Sequence, residues 1–118
     1  MKSLLLISGH APWTGLAARE TLDIALAGGA FDLPVSMLWR GEGVYQLLDN
    51  QQPGKLQQKN LQAQLSSLPL FGIEQLYVCS ESLQQRNLPS EQLVLEVKLV
   101  NKSEIRQLLA SHAQTLVL

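Results

Sequence analysis

Cysteine occurs once in this chain, at Cys79. One cysteine closes no internal disulfide, so a reducing compartment is indicated, and cytoplasmic residence is the expectation. The missing CxxC pair excludes thioredoxin-like redox chemistry. Charge is scarce as well. Asp, Glu, Lys and Arg make up 16% of 118 residues, and the formal net charge is -1. A typical soluble domain carries about 25% charged residues. The cations are scattered and form no basic stripe, which disfavours direct nucleic-acid binding, because neutralising phosphates takes clustered Lys and Arg. A surface short of charge can be hidden against another subunit, so an oligomer is favoured. Long apolar runs are also missing. Leu4–Ile7 falls short of the roughly 7–15 apolar residues of a secretion signal, and nothing nears the roughly 18 of a membrane span. The glycines at 9 and 15 and at 41 and 43 fit neither a Walker loop nor the dinucleotide fingerprint. No nucleophile elbow is present, and no His, Cys or acidic set has metal-ligand spacing. No cofactor and no metal are expected.

What remains is a regular alternation of short apolar runs and helical patterns. Leu4–Ile7 reads as a strand buried on both faces. A loop from Ser8 to Gly15 follows, with Thr14 placed to cap a helix over Leu16–Ala27 that Gly28-Gly29 would end. Leu33–Trp39 reads as a second strand, and Val44–Leu48 as a short helical turn. Leu56, Leu61, Leu65 and Leu68 are spaced for a helix that Pro69 stops. Gln75–Cys79 is the third strand and Ser80–Arg86 a helix. Leu93–Lys98 is read as the fourth strand. Asn101 and Glu104 form a capping box, opening an amphipathic helix with Ile105, Leu108, Leu109 and His112 on one face. Thr115–Leu118 closes the pattern. The expectation is one domain, 1–118, of α/β class. It is a three-layer α/β/α fold around a mostly parallel five-stranded sheet. The strand order is not legible; a flavodoxin-like order is the generic prior.

In such sheets, ligands gather at the carboxyl ends of the strands. Cys79 sits at one of these ends. A helix starting at Ser80 would aim free N–H groups at its sulfur, favouring the reactive thiolate. Glu81 works against this. From spacing alone, the favoured reading of Cys79 is a small buried hydrophobe ending a strand. His10 lies in the first strand-to-helix loop, either polarising a thiol or holding the loop by hydrogen bonds. His112 reads as a half-buried residue on the last helix. Trp13 and Tyr45, near polar loops, are candidate interface anchors. A stand-alone binding module with a small ligand near Ser8, His10 and Glu42 is the alternative from another class.

Several segments resemble one family. Gly41-Glu42-Gly43-Val44-Tyr45-Gln46-Leu47-Leu48 resembles the DGV(Y/F)QLL segment of the DsrE/DsrF-like family. Ala11-Pro12 with Gly15, then Ala18-Arg19-Glu20 with Leu22-Asp23, resembles its first loop and helix. Phe71-Gly72-Ile73-Glu74-Gln75 resembles the lead into its third strand, and Tyr77-Val78-Cys79-Ser80-Glu81-Ser82-Leu83 its WVCAASL stretch. The closest branch is the TusC (DsrF-type) one, and the likeness spans essentially the whole chain. The resemblance implies a sulfur relay by persulfide transfer, with TusB-like and TusD-like partners in a heterohexamer, a dimer of heterotrimers. It implies service to tRNA wobble-uridine 2-thiolation or, in the Dsr branch, to sulfur oxidation. It makes Cys79 a candidate persulfide carrier, while placing the main relay thiol on the TusD-type subunit and leaving this chain a mainly structural role. Persulfide transfer needs one thiolate per carrier and no cofactor.

Overall fold

A computed structural model describes residues 3–13, 15–48, 63–89 and 93–118. Its centre is a sheet of β1 (Leu4–Ser8), β2 (Val35–Trp39), β3 (Gln75–Cys79), β4 (Lys98–Val100) and β5 (Gln114–Val117). All pairings are parallel, in the order β4-β3-β2-β1-β5. The α/β expectation holds. The order differs from the flavodoxin-like prior, in which the second strand lies outside the first. Helices α1 (Ala17–Ala30), α2 (Ser80–Gln85) and α3 (Lys102–Ser111) accompany the sheet.

The two faces follow from the direction of travel. From β1 to β4 the chain steps one strand at a time in one direction. It then recrosses the sheet to set β5 beside β1. Right-handed crossovers are the rule, so a reversed step puts its helix on the opposite face. The packing agrees. Leu6, Met37, Trp39 and Val78 share one cluster with Ala18, Leu22 and Ala25 of α1. Leu5, Ile7, Leu38, Cys79 and Val100 share the other with Ile105 of α3. Strand residues alternate between the clusters because successive side chains leave a strand on opposite sides.

Several boundaries move for physical reasons. β2 starts at Val35, two residues later than the pattern implied. Pro34 has no N–H to give a ladder, although its carbonyl accepts from Leu4 N–H at 2.9 Å. Helix α1 does not stop at Gly28-Gly29 but runs to Ala30. These glycines serve close packing: a Cβ on Gly28 would lie 2.8 Å from Val35 Cγ2, and one on Gly29 2.7 Å from the Phe71 carbonyl oxygen. The left-handed residue past the helix is Asp32, at φ 58°. The fourth strand is shifted too. Leu93–Val97 is mostly outside the ladder. Leu93 makes an isolated bridge with Leu48, Val94 N–H donates to Leu47 at 2.8 Å, and Leu95 is buried in the α1-side cluster. The apolar residues there signalled burial, not pairing. Only Lys98–Val100 pairs with β3, and Cys79 stands opposite Val100.

Thr14 and residues 56–62 of the glutamine-rich helix lie outside the described residues; residues 63–66 are helical. Pro69 does not merely stop that segment, since it sits in the first turn of a 3₁₀ helix, Leu68–Phe71. The capping box at α3 is present as expected. Asn101 Oδ1 accepts from Glu104 N–H at 2.9 Å, and Asn101 N–H donates back to Glu104 Oε1 at 3.0 Å.

Candidate functional site

The carboxyl ends of β1 and β2 meet at one rim of the sheet, and a buried glutamine ties them together. Gln46 lies in a 3₁₀ helix, Gly41–Leu47, which begins three residues before the turn expected from the pattern. Its Nε2 donates to Ser8 Oγ at 2.7 Å and to the His10 carbonyl at 2.8 Å, and its Oε1 accepts from Trp39 Nε1 at 3.1 Å. The orientation of the amide is forced. An indole N–H can only donate and a carbonyl can only accept, so Oε1 must face Trp39 and Nε2 must face His10. Ser8, Trp39 and Gln46 are all buried. One side chain thus fastens the first loop to the end of β2.

Glycine makes this approach possible. A Cβ on Gly43 would sit 2.0 Å from the Ser8 carbonyl oxygen, so only glycine lets the 3₁₀ helix rest on β1. Gly41 adopts φ 58°, a left-handed conformation that glycine takes without steric cost. Its N–H donates to Ser82 Oγ at 2.9 Å, linking β2's loop to α2. Above the rim, Trp13 and Tyr45 pack with ring centroids 5.2 Å apart at 48°. Trp13 remains 47% exposed.

Cys79 ends β3, as the sequence indicated, but its surroundings are apolar. It is a free thiol, 7% exposed, among Leu5, Ile7, Leu38, Val100 and Ile105 on the α3 side. Ser8 and Gln46 serve the opposite side of the sheet. His10 is exposed and enters the network through its backbone carbonyl. Among the described residues no hydrogen bond joins His10 to Cys79. Glu81 pairs with Lys102 at 3.7 Å, at the solvent boundary. Ser8, proposed as a ligand contact, is already occupied by Gln46, and Glu42 points into solvent. Among the described residues no group of three or more His, Cys, Asp or Glu could hold a metal. No helix among them is long and apolar enough to cross a membrane.

The family model for the DsrE/DsrF-like family matches residues 2–118. The chain belongs to that family. Among DsrE/DsrF-like relatives, a "Protein TusC homolog" of Pseudomonas aeruginosa is 51% identical over 117 residues, covering 99% of this chain and 98% of the relative. A "Protein TusC homolog" of Vibrio vulnificus is 37% identical, covering 98% of each. "Protein TusC" of Buchnera aphidicola is 33% identical over 90% of each. The chain is therefore TusC-like. In fold, it matches the crystal structure of the ychN protein from E.coli over the whole of both chains, with a TM-score of 0.84 at 20% identity.

The residues that build the rim were only partly foreseen. Gln46 and Ser82 carry no motif of their own, although both lie in the segments that carry the DsrE/DsrF-like resemblance. An amide inside an apolar run, between Val44 and Leu47, was the available signal. His112 is half-buried, as its place on the last helix implies. Its partners were not foreseen: Nδ1 donates to the Leu108 carbonyl at 2.7 Å, and Nε2 lies 2.7 Å from Ser36 Oγ. This bond pins the end of α3 to β2.

Proposed function

We propose that this chain is the TusC-type subunit of a persulfide-relay assembly acting in 2-thiolation of the tRNA wobble uridine. Its contribution is architectural, alongside TusB-like and TusD-like partners in a heterohexamer. The supporting observation is the seat of Cys79, closed in by apolar side chains of β1, β2, β4 and α3. In a relay step the acceptor thiolate attacks the outer sulfur of a donor persulfide. A new S–S bond forms, the donor's own S–S bond breaks, and the donor leaves as a thiolate, so no external oxidant is consumed. That attack needs in-line access to the acceptor sulfur. A thiol exposed to 7% lacks it in the isolated chain, which favours a relay thiol on a sister subunit.

The test is to assemble the chain with TusB-like and TusD-like subunits, load the complex with a persulfide donor, and map the added sulfur by mass spectrometry. The expected result is one added sulfur on the partner and none on Cys79, with tRNA thiolation retained by a Cys79→Ser complex. An added sulfur on Cys79, with thiolation lost in Cys79→Ser, overturns the architectural role.

A further inference from the structure

The two edges of the sheet are built differently. The β4 edge is only three residues long, starts on Lys98 and is flanked by Glu96 and Lys102. Short strands with charged side chains are how natural sheets keep an edge from pairing with another chain. The β5 edge has no such protection. From Ala113 to Leu118 the chain carries no charged side chain, no proline and no glycine. Every residue of β5 is exposed, with Leu116 at 39% and Val117 at 67%. Among the described residues, neither helical layer covers it.

The backbone of β5 offers a defined set of free groups. Gln114 N–H donates to Ser3, Leu118 N–H donates to Ile7, and the Leu118 carbonyl accepts from Gly9 N–H, at 2.9–3.0 Å. Alternate residues of a strand turn their polar groups to the same side. Gln114, Leu116 and Leu118 therefore serve β1, while Thr115 and Val117 direct N–H and C=O to the open edge. Ala113 has the same parity, but its N–H is taken by Ser3 Oγ at 3.0 Å.

We propose that β5 is a docking edge for β5 of a second copy of this chain, paired antiparallel about a twofold axis at Leu116. In that register Thr115 of each copy faces Val117 of the other. The free groups make four N–H···O=C bonds and none competes with Ser3. Centring on Thr115 instead would pair Val117 with the occupied N–H of Ala113. Leu116 meets its own copy at a non-hydrogen-bonded position, where side chains come closest, and Thr115–Val117 form β-branched cross-strand pairs. An edge with no charged side chain meets itself without like-charge repulsion between side chains, which suits a twofold contact in which the same patch serves both sides. The two sheets become one of ten strands. This pairing goes beyond the relay assignment and uses neither Cys79 nor the rim around Gln46.

The test uses the purified full chain without sulfur donor or sister subunits, so its failure leaves the relay assignment standing. Sedimentation at micromolar concentration should show a dimer. Val117→Lys, at an exposed position, should be monomeric with an unchanged circular dichroism spectrum. In a Cys79→Ser background, Leu116→Cys should oxidise to a disulfide-linked dimer, because facing Cα atoms at such a position are about 4.5 Å apart. Val117→Cys should stay unlinked, since its copies are offset beyond the roughly 7 Å reach of a disulfide. A monomeric wild-type chain, or cross-linking at Val117 in preference to Leu116, overturns the proposal.

Discussion

The most exacting prediction concerns Gln46→Leu. Leucine fits the apolar surroundings of Val44 and Leu47, both fully buried, so shape is nearly kept and polarity is removed. Three bonds disappear: from Nε2 to Ser8 Oγ and to the His10 carbonyl, and from Trp39 Nε1 to Oε1. The Ser8 hydroxyl can turn toward another acceptor and counts least. The Trp39 indole N–H is buried and cannot turn, and the His10 carbonyl is part-buried. A buried polar group left without a partner costs about 1–3 kcal/mol and the part-buried carbonyl less, so a loss of about 2–4 kcal/mol is expected. That is a large part of the roughly 5–15 kcal/mol that holds a domain folded, and it lowers the melting temperature by about 10 °C or more. The assay is urea unfolding followed by tryptophan fluorescence, since Trp39 is one of only two tryptophans. Ser8→Ala, alone and combined with Gln46→Leu, completes a double-mutant cycle. The pair should be less destabilised than the sum of the singles, because they share a bond. A stability change within about 0.5 kcal/mol for Gln46→Leu, the size usual for surface substitutions, refutes the assignment of Gln46 as the fastening of the rim.

Other substitutions probe separate features. Gly43→Ala forces a Cβ against the Ser8 carbonyl and should cost about 3 kcal/mol or more, at the upper end for overpacking, measured by denaturant unfolding. Asn101→Ala breaks the capping box and should cost about 1 kcal/mol by the same measurement. Ser82→Ala removes the acceptor of Gly41 N–H and should cost about 1–2 kcal/mol, read as a shift of the unfolding midpoint at constant slope. Cys79 should react with an aromatic disulfide reagent far more slowly in the folded chain than in urea, because it is buried among apolar side chains. Equal rates in the two states would show the thiol to be open.

The chain's local chemistry was legible without a structure. Leu4–Ile7 announced a buried strand because parallel strands covered on both faces are apolar throughout. Asn101 and Glu104 announced a helix start because that bond is made within four residues. The scarcity of charge and the single cysteine narrowed what the sequence could be expected to do. Contacts between distant segments were not legible. Gly28 and Gly29 look like a helix stop until Val35 and the Phe71 carbonyl are placed against them. Leu93–Val97 looks like a strand until the register assigns the ladder to Lys98–Val100. Gln46 looks like a surface residue until Ser8, His10 and Trp39, thirty-eight, thirty-six and seven positions away, converge on it. Hydrophobic period and capping depend on neighbours along the chain, so the sequence alone determined the elements. Strand order, the partners of buried polar groups, the closing-in of Cys79 and the bare edge of β5 depend on which segments meet in space, and only the tertiary structure decided them.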